Sequence, residues 1–592
     1  MVDIFFNWRP SEKDRVKEMV QALSLCHALS KTGELYSRRL QQTIRMTVRT
    51  TIAEFVESSG AGVTGMSYAD FYSCLELLIE ELHNSLQMAR QVHLFVTEES
   101  IFPESEENWT KTAMTTGADL AAKSVAELLR LRKEAHSLIT LEEMRQLWDT
   151  CLQFTTRVES DYGNNTKAVG LRSTLAGQAK AFLDRKHESN MSALVAALDS
   201  ERWTPCEVSA ERQAVLTRLC TRRAIAPAAA WRDNGLESSA TTKKPTAEVE
   251  GVQYKAVWSC LLLVEMIMTN LYAAGHFSSL ATNAVTKVAE LMRLFNTRTT
   301  NLVLGAGAIH SGARLKSINA KHLSMVTQCL GMITALLPHI RAALMAQLPA
   351  KQHALLNDLD KIKKEYLDHN EKVLNKFVTI IGGIVEHGLA PRIPGTDFDA
   401  RGKDLSNEGD IACCVFLDGV STNTRKMHQV LSLMLPPDHL QDVFSRIFAY
   451  VDNQVPTLLN AASNATASNG SPGFQFPSTN DGKRRLLLEV EATTEKLNSL
   501  QGVLPWEFTC TNVLERKLDF SINGDRTKVE AKMGNGNGEL PTEAQGGKQE
   551  TSDLIQNGDG GGAEAHESSN NGATNVPSAK TKGAEVVSEE DQ

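Results

Sequence analysis

KQHALLNDLDKIKKEYLDHNEKVLNKFVTIIGGIVEHG, residues 351 to 388, carries the plainest periodicity in the chain. Leu355, Leu359, Ile362, Tyr366, Val373, Phe377, Ile380 and Ile384 recur at steps of three and four, with Asn370 standing in the gap and charged residues between them. On a helix these positions form one stripe, so the segment is expected to bury one face and wet the rest. Working outward, Ser11-Glu-Lys-Asp14 and Thr140-Leu-Glu-Glu143 each place a hydroxyl three residues ahead of an acid, a pattern that starts helices. Strand patterns do not recur. Aromatics make up only 6%, while Leu, Ala, Lys, Glu, Gln and Met abound, residues that lose little rotamer freedom in a helix. The expected fold is all-α.

With 592 residues, 42% hydrophobic and 22% charged, the chain exceeds one ordinary domain and can bury a core. Between the helical runs lie stretches rich in Gly, Pro, Ser, Asn and charge: 231–251, 391–410 and 464–482. These read as linkers or long loops that do not pack. From 522 to 592 the chain is acidic and glycine-rich and has too little apolar area to offset chain entropy, so a disordered tail is expected. No repeat of fixed period occurs. The organisation read from the sequence is a helical block over 1–230, a linker at 231–250, a second helical-bundle block over 251–505 with loops at 391–410 and 464–482, and the tail at 522–592.

Charge limits the partners. Residues 522–592 hold 13 acidic and 6 basic residues, leaving only −2 of the total −9 to the other 521. A duplex-binding protein is expected to show a basic stripe, and a near-neutral body argues against nucleic acid. The ten cysteines, at 26, 74, 151, 206, 220, 260, 329, 413, 414 and 510, include no C-x-x-C pair for zinc or redox chemistry. The N-terminus MVDIFFNWRPSEKDRVKEMV lacks the basic and apolar regions of a signal peptide. Sequons such as those at Asn108 and Asn469 are therefore expected to be unused and the compartment cytosolic. AVWSCLLLVEMIMTNLYAAG, from Ala256, is interrupted by Glu265 and Asn270 and reads as a buried core helix rather than a membrane span.

Three local patterns imitate chemistry. LVLGAGAIHSGARLKSINAKHL (302–323) is glycine-rich, but a nucleotide loop follows a strand, and here Val285, Val288, Met292 and Phe295 form a helix instead. Neither glycine fingerprint is met by Gly305, Gly307 and Gly312; Gly305 is expected to end one helix and Asn319 to cap the next. Asp397, Asp399, Gly402 and Glu408 match positions 1, 3, 6 and 12 of a calcium loop. Arg401 sits where a ligand belongs, Asp404 where a packing residue belongs, and the preceding PRIPGT cannot form an entering helix. The 15 histidines are scattered, and His310, His322 and His339 read as partly buried polar residues. No catalytic residue, metal ligand or cofactor is assigned, and no protein-binding residue can be named. The residues alone indicate a helical scaffold or tether.

FNTRTTNLVLGAGA (295–308), LKSINAKHL (315–323), LPHIRAALMAQLPAKQ (337–352) and DLDKIKKEYLDH (358–369) closely resemble the family of vacuolar protein sorting-associated protein 54. Upstream, 122–149, 171–203 and 253–267 look like the family's middle region in the same order; downstream, TRKMHQVLSLMLPPDHLQDVFSRIFAY (424–450) resembles its C-terminal helical domain. The resemblance covers roughly 110–505, and its ordered series of motifs is more specific than any one of them. Full-length relatives carry a long N-terminal portion with a coiled coil that joins the other subunits; this chain begins close to the helical middle region, and no sustained heptads appear before residue 60. The acidic tail has no family counterpart.

Members are subunits of the Golgi-associated retrograde protein (GARP) complex. The resemblance implies stacked helical bundles forming an elongated rod, the architecture of the CATCHR tethers. It also implies vesicle tethering in retrograde transport from endosomes to the trans-Golgi network, without catalysis. Implied partners are the other three GARP subunits, SNARE proteins and Rab-type small GTPases, at the cytosolic face of the trans-Golgi network and endosomes. With no lipidation motif or basic amphipathic helix, direct binding to anionic lipid is expected to be weak and peripheral membrane association to run through proteins. Two other readings stay open: a subunit of another helical tether, the exocyst or the endosomal relative of GARP, and an enzyme on a helical scaffold.

Overall fold

Thr140 opens a helix as its spacing to Glu143 requires. The Glu143 N–H donates to the Thr140 hydroxyl at 3.2 Å, and the Thr140 N–H donates back to the Glu143 carboxylate at 2.7 Å, so two orphan donors are satisfied at once. Asn319 and His322 form the same reciprocal pair at a second start, as expected for Asn319. The structure is a computed structural model that describes residues 13–98, 109–162, 168–221, 243–305, 307–400, 415–464 and 474–522. Ser11, Asn108, Asn469 and the tail from 523 onward lie outside the described residues.

The first helices are α1 (Lys13–Leu25), α2 (Leu29–Ser59), α3 (Tyr68–Glu98), α4 (Trp109–Leu131), α5 (Leu141–Asp161) and α6 (Val169–Asp199). α2, α3 and α4 pack on one another, and α4 and α5 pack on α6. Helix α6 belongs to two cores. Its Leu171, Leu175 and Phe182 join Phe71, Leu78 and Leu147, whereas Leu194 and Leu198 join the core built by the following elements. Those elements are α7 (Ala210–Cys220), the strands β1 (Ala247–Val249) and β2 (Val252–Tyr254), α8 (Trp258–His276), α9 (Ala281–Val303), α10 (Ala320–Met345) and α11 (Asn357–Gly383). They continue into α12 (Val415–Leu431), α13 (Pro437–Asn464), α14 (Asn480–Asn498) and α15 (Cys510–Leu518). α8 and α9 lie on α6, α9 and α10 on α11, α11 on α13, and α13 and α14 on α15. Among the described residues the fold is all-α apart from one two-stranded hairpin and a single antiparallel bridge between Val208 and Lys244.

Three differences from the sequence reading have physical causes. First, part of the stretch expected to be linker is the hairpin: Ala247 pairs with Tyr254 and Val249 with Val252, with Ala247 and Val249 buried. Glu250 and Gly251 turn it at φ 50° and 83°, the two left-handed residues that a tight two-residue turn needs. A Glu there hides the usual Asn-Gly signal. Second, the stripe on α11 drifts. Leu355 is 46% exposed in a 3₁₀ turn ahead of the helix, and beyond Val373 the buried residues are Leu374, Phe377, Ile381 and Val385 rather than Ile380 and Ile384. Past Val373 the face follows four-residue steps, and the helix widens into a π-turn at Ile384–Leu389. Third, parts of the two loops expected not to pack do pack. Phe398 and Phe474 are buried and meet edge to face at 6.4 Å, and α14 begins inside the second stretch at Asn480.

Helix α8 is buried in the core, as its sequence predicted. By length and composition α8 and α10 are apolar enough to cross a bilayer, yet 72% of each apolar window is buried inside the fold, so that surface is spent on packing. The helical stretch Ala350–Gly395 also meets those criteria, with 39% of its window buried.

Candidate interaction surfaces

The glycine-rich turn is a clamp. Leu304 and Gly305 N–H groups both donate to the Thr300 carbonyl, at 2.9 and 3.2 Å, which ends α9. A Cβ on Gly305 would stand 2.7 Å from the Asn301 carbonyl oxygen, and one on Gly307 2.9 Å from it, so glycine is required for close backbone approach. The turn then reaches α6. The Ala313 N–H donates to the Asp199 carbonyl at 2.9 Å, and the Arg298 guanidinium forks the Asp199 carboxylate at 2.8 and 2.7 Å. The backbone donors of the turn are used within the fold, at Gly305 to close α9 and at Ala313 to hold the end of α6.

The acidic loop is partly accounted for. Asp399 accepts from the Ser478 N–H and hydroxyl and from the Thr479 N–H and hydroxyl, the last residue being the cap of α14. Burial pushes its carboxyl up, but these bonds outweigh that and hold it below the usual range. Asp397 accepts from the Asp399 N–H at 2.9 Å. Arg401, Gly402, Asp404 and Glu408 lie outside the described residues. Among the described residues no group of three His, Cys, Asp or Glu is placed to hold a metal.

Of the three histidines singled out, His310 is exposed, His322 caps α10, and His339 pairs with Glu250 at 2.9 Å, steadying the hairpin turn. They do not converge. The buried histidines that matter to the fold were not singled out. His136 faces the Gln178 amide oxygen at 3.0 Å, and His369 lies 2.7 Å from the Asn296 side-chain oxygen and 3.2 Å from the Thr300 hydroxyl. Burial pulls each imidazole down to about 4, aided by Arg132 at His136 and by Lys372 at His369. Their sequence signal is a histidine within an apolar stripe, His369 three residues after Tyr366. Two more, His187 with Glu290 at 2.7 Å and His276 with Asp149 at 2.9 Å, join α6 to α9 and α8 to α5.

Two concavities open on the described surface. One groove of about 510 Å³ lies where Leu138 and Ile139 meet α6, which lines it with Phe182, Arg185, Lys186 and Glu188; Leu138 is 71% exposed. A second, of about 420 Å³, is lined by Arg212, which stacks on Trp258 at 4.0 Å and pairs with Glu265 at 2.7 Å.

A family model described as Vps54-like protein matches residues 251–383, which run from the turn of the hairpin to the last residue of α11. Human vacuolar protein sorting-associated protein 54 is 28% identical over 365 residues, 60% of this chain and 35% of the human protein. The mouse protein is 30% identical over 301 residues, 50% of this chain and 29% of its own length. The Arabidopsis thaliana protein of that name, described as chloroplastic, is 25% identical over 444 residues, covering 63% and 41%. The chain thus spans about a third of the length of the first two relatives. It carries a Vps54-like helical segment at residues 251–383 and is similar to vacuolar protein sorting-associated protein 54 through its middle and C-terminal helices.

Proposed function

We propose that this chain is a non-catalytic subunit of a GARP-type vesicle-tethering complex acting in retrograde transport from endosomes to the trans-Golgi network. The observation that carries the reading is that the Vps54-like stretch 251–383 folds as four consecutive helices, α8 to α11, each packed on the next. A tether needs long helices, a rigid core and open outer faces, and Gly305, Asp399 and His322, which imitate chemistry in the sequence, serve here in turns and caps. Its partners are the other three GARP subunits, with SNARE proteins and Rab-type small GTPases as functional contacts. Its site of action is the cytosolic face of the trans-Golgi network and endosomes.

Within this reading the region 251–505 supplies the C-terminal bundle, but its core also holds Leu194 and Leu198 of α6 and Leu216 and Leu219 of α7. A C-terminal fragment is therefore expected to need α6 and α7 to stay folded. The test is affinity purification of the tagged full chain from cells. Retention of the other GARP subunits supports the assignment, and recovery of exocyst subunits alone overturns it.

A further inference from the structure

Helix α2 segregates its side chains sharply. Tyr36, Leu40 and Ile44 are buried against the neighbouring helices. On the opposite side Lys31, Arg38, Arg39, Arg45 and Arg49 are exposed, and at ~100° per residue they share an arc of about 120°. The row extends over about 27 Å at 1.5 Å per residue. Leu35 and Met46 stand out among the cations, 47% and 53% exposed. The expectation that the chain has no basic amphipathic helix is therefore not met. The acids lie to the side: Glu34 reaches only Arg38, at 3.7 Å with both side chains largely exposed, and Glu54 and Glu57 come beyond the row. Lys31, Arg39, Arg45 and Arg49 have no ion-pair partner among the described residues.

We propose that this face of α2 docks on a membrane surface carrying anionic phospholipid headgroups. The charge calls for a polyanion, and guanidinium groups match phosphate geometry. The two apolar side chains select among polyanions. Leu35 and Met46 are three turns apart and form no continuous stripe, so a partner helix would find too little apolar area to bury. A cluster of cations is drawn to an anionic lipid surface, and single apolar side chains among them can enter the headgroup layer without needing a continuous stripe. The assignment is independent of the tethering reading, because it needs only the exposed face.

The experiment is co-sedimentation of the full chain with vesicles of phosphatidylcholine alone or with about 30 mol % phosphatidylserine, at 0.1 M and 0.5 M NaCl. Binding is expected to the anionic vesicles only, and to fade at high salt. Each cation removed is expected to weaken binding about fivefold, so Arg39→Gln/Arg45→Gln/Arg49→Gln loses about a hundredfold. Leu35→Ala/Met46→Ala is expected to weaken it severalfold at constant charge. All five positions are exposed, and circular dichroism checks that each variant keeps its helix content; Arg45→Gln/Arg49→Gln, with about a 25-fold loss expected, replaces any triple variant that does not. Equal binding to both vesicle types, or no loss in the arginine variants, overturns the proposal. So does binding to a poly-glutamate peptide or an oligonucleotide as tight as to vesicles and unchanged by Leu35→Ala/Met46→Ala, which would make the occupant a soluble polyanion.

Discussion

Acidification from pH 7.5 to 5.5 should destabilise this protein through His136 and His369. Both are buried, 0% and 3% exposed, and both have imidazoles pulled down to about 4, whereas in the unfolded chain each titrates near 6.5. Below pH 6.5 the unfolded chain binds more protons than the fold does, so stability falls as pH drops, and the loss saturates near pH 4. At pH 5.5 the unfolded imidazole is about nine-tenths protonated and the folded one nearly neutral. Each residue then costs about 1.4 kcal/mol relative to pH 7.5, and the distant pair about 2.8 kcal/mol together. The assay is urea unfolding followed by circular dichroism at both pH values, for the wild type and for His136→Gln/His369→Gln. The variant is less stable at pH 7.5 because it repacks two buried sites, but its loss on acidification should be smaller by about 2.8 kcal/mol. His322 and His439, whose imidazoles burial also pulls down, occur in both proteins, so their contributions cancel in the comparison. An equal loss in wild type and variant would refute the assignment of two buried neutral imidazoles.

Phe377 is fully buried on α11 while Lys364 is exposed; Phe377→Ala should cost about 3–5 kcal/mol and Lys364→Ala less than about 0.5 in the same unfolding assay. Gly305→Ala should cost about 1–3 kcal/mol because its methyl would press on the Asn301 carbonyl oxygen, and amide exchange at the end of α9 should quicken; an unchanged exchange rate would contradict the clamp. Asp452 accepts from the Thr509 N–H and hydroxyl and from the Cys510 N–H, at 2.7 to 2.8 Å. Asp452→Ala should therefore cost about 1.5–3 kcal/mol and lower exchange protection in α15 before other helices.

Periodicity, caps and turn glycines act over a few residues, and these were legible in the sequence. Thr140 and Asn319 start helices where their spacing says, α9 ends at the glycines, and α8 is a core helix because its apolar residues leave no polar face. The resemblance to vacuolar protein sorting-associated protein 54 was legible for the same reason, being a linear series of such segments. What depends on which faces meet was not legible. Nothing local marks α6 as shared between two cores, since that follows from where α8 and α9 come to rest against it. Leu355 and Ile380 read as core by spacing, but Leu355 falls in the 3₁₀ turn before α11 and Ile380 sits at the margin of the buried stripe. Phe398 and Phe474 became core through a contact 76 residues apart in sequence. The charge pattern makes the point most clearly. Summed along the chain the body is almost neutral, yet folding α2 turns its arginines to solvent, while Asp70, Glu76, Glu80 and Glu81 stand on the neighbouring α3. A sum over sequence averages charges that a helix sorts by angle, and only packing decides which side of that helix meets water.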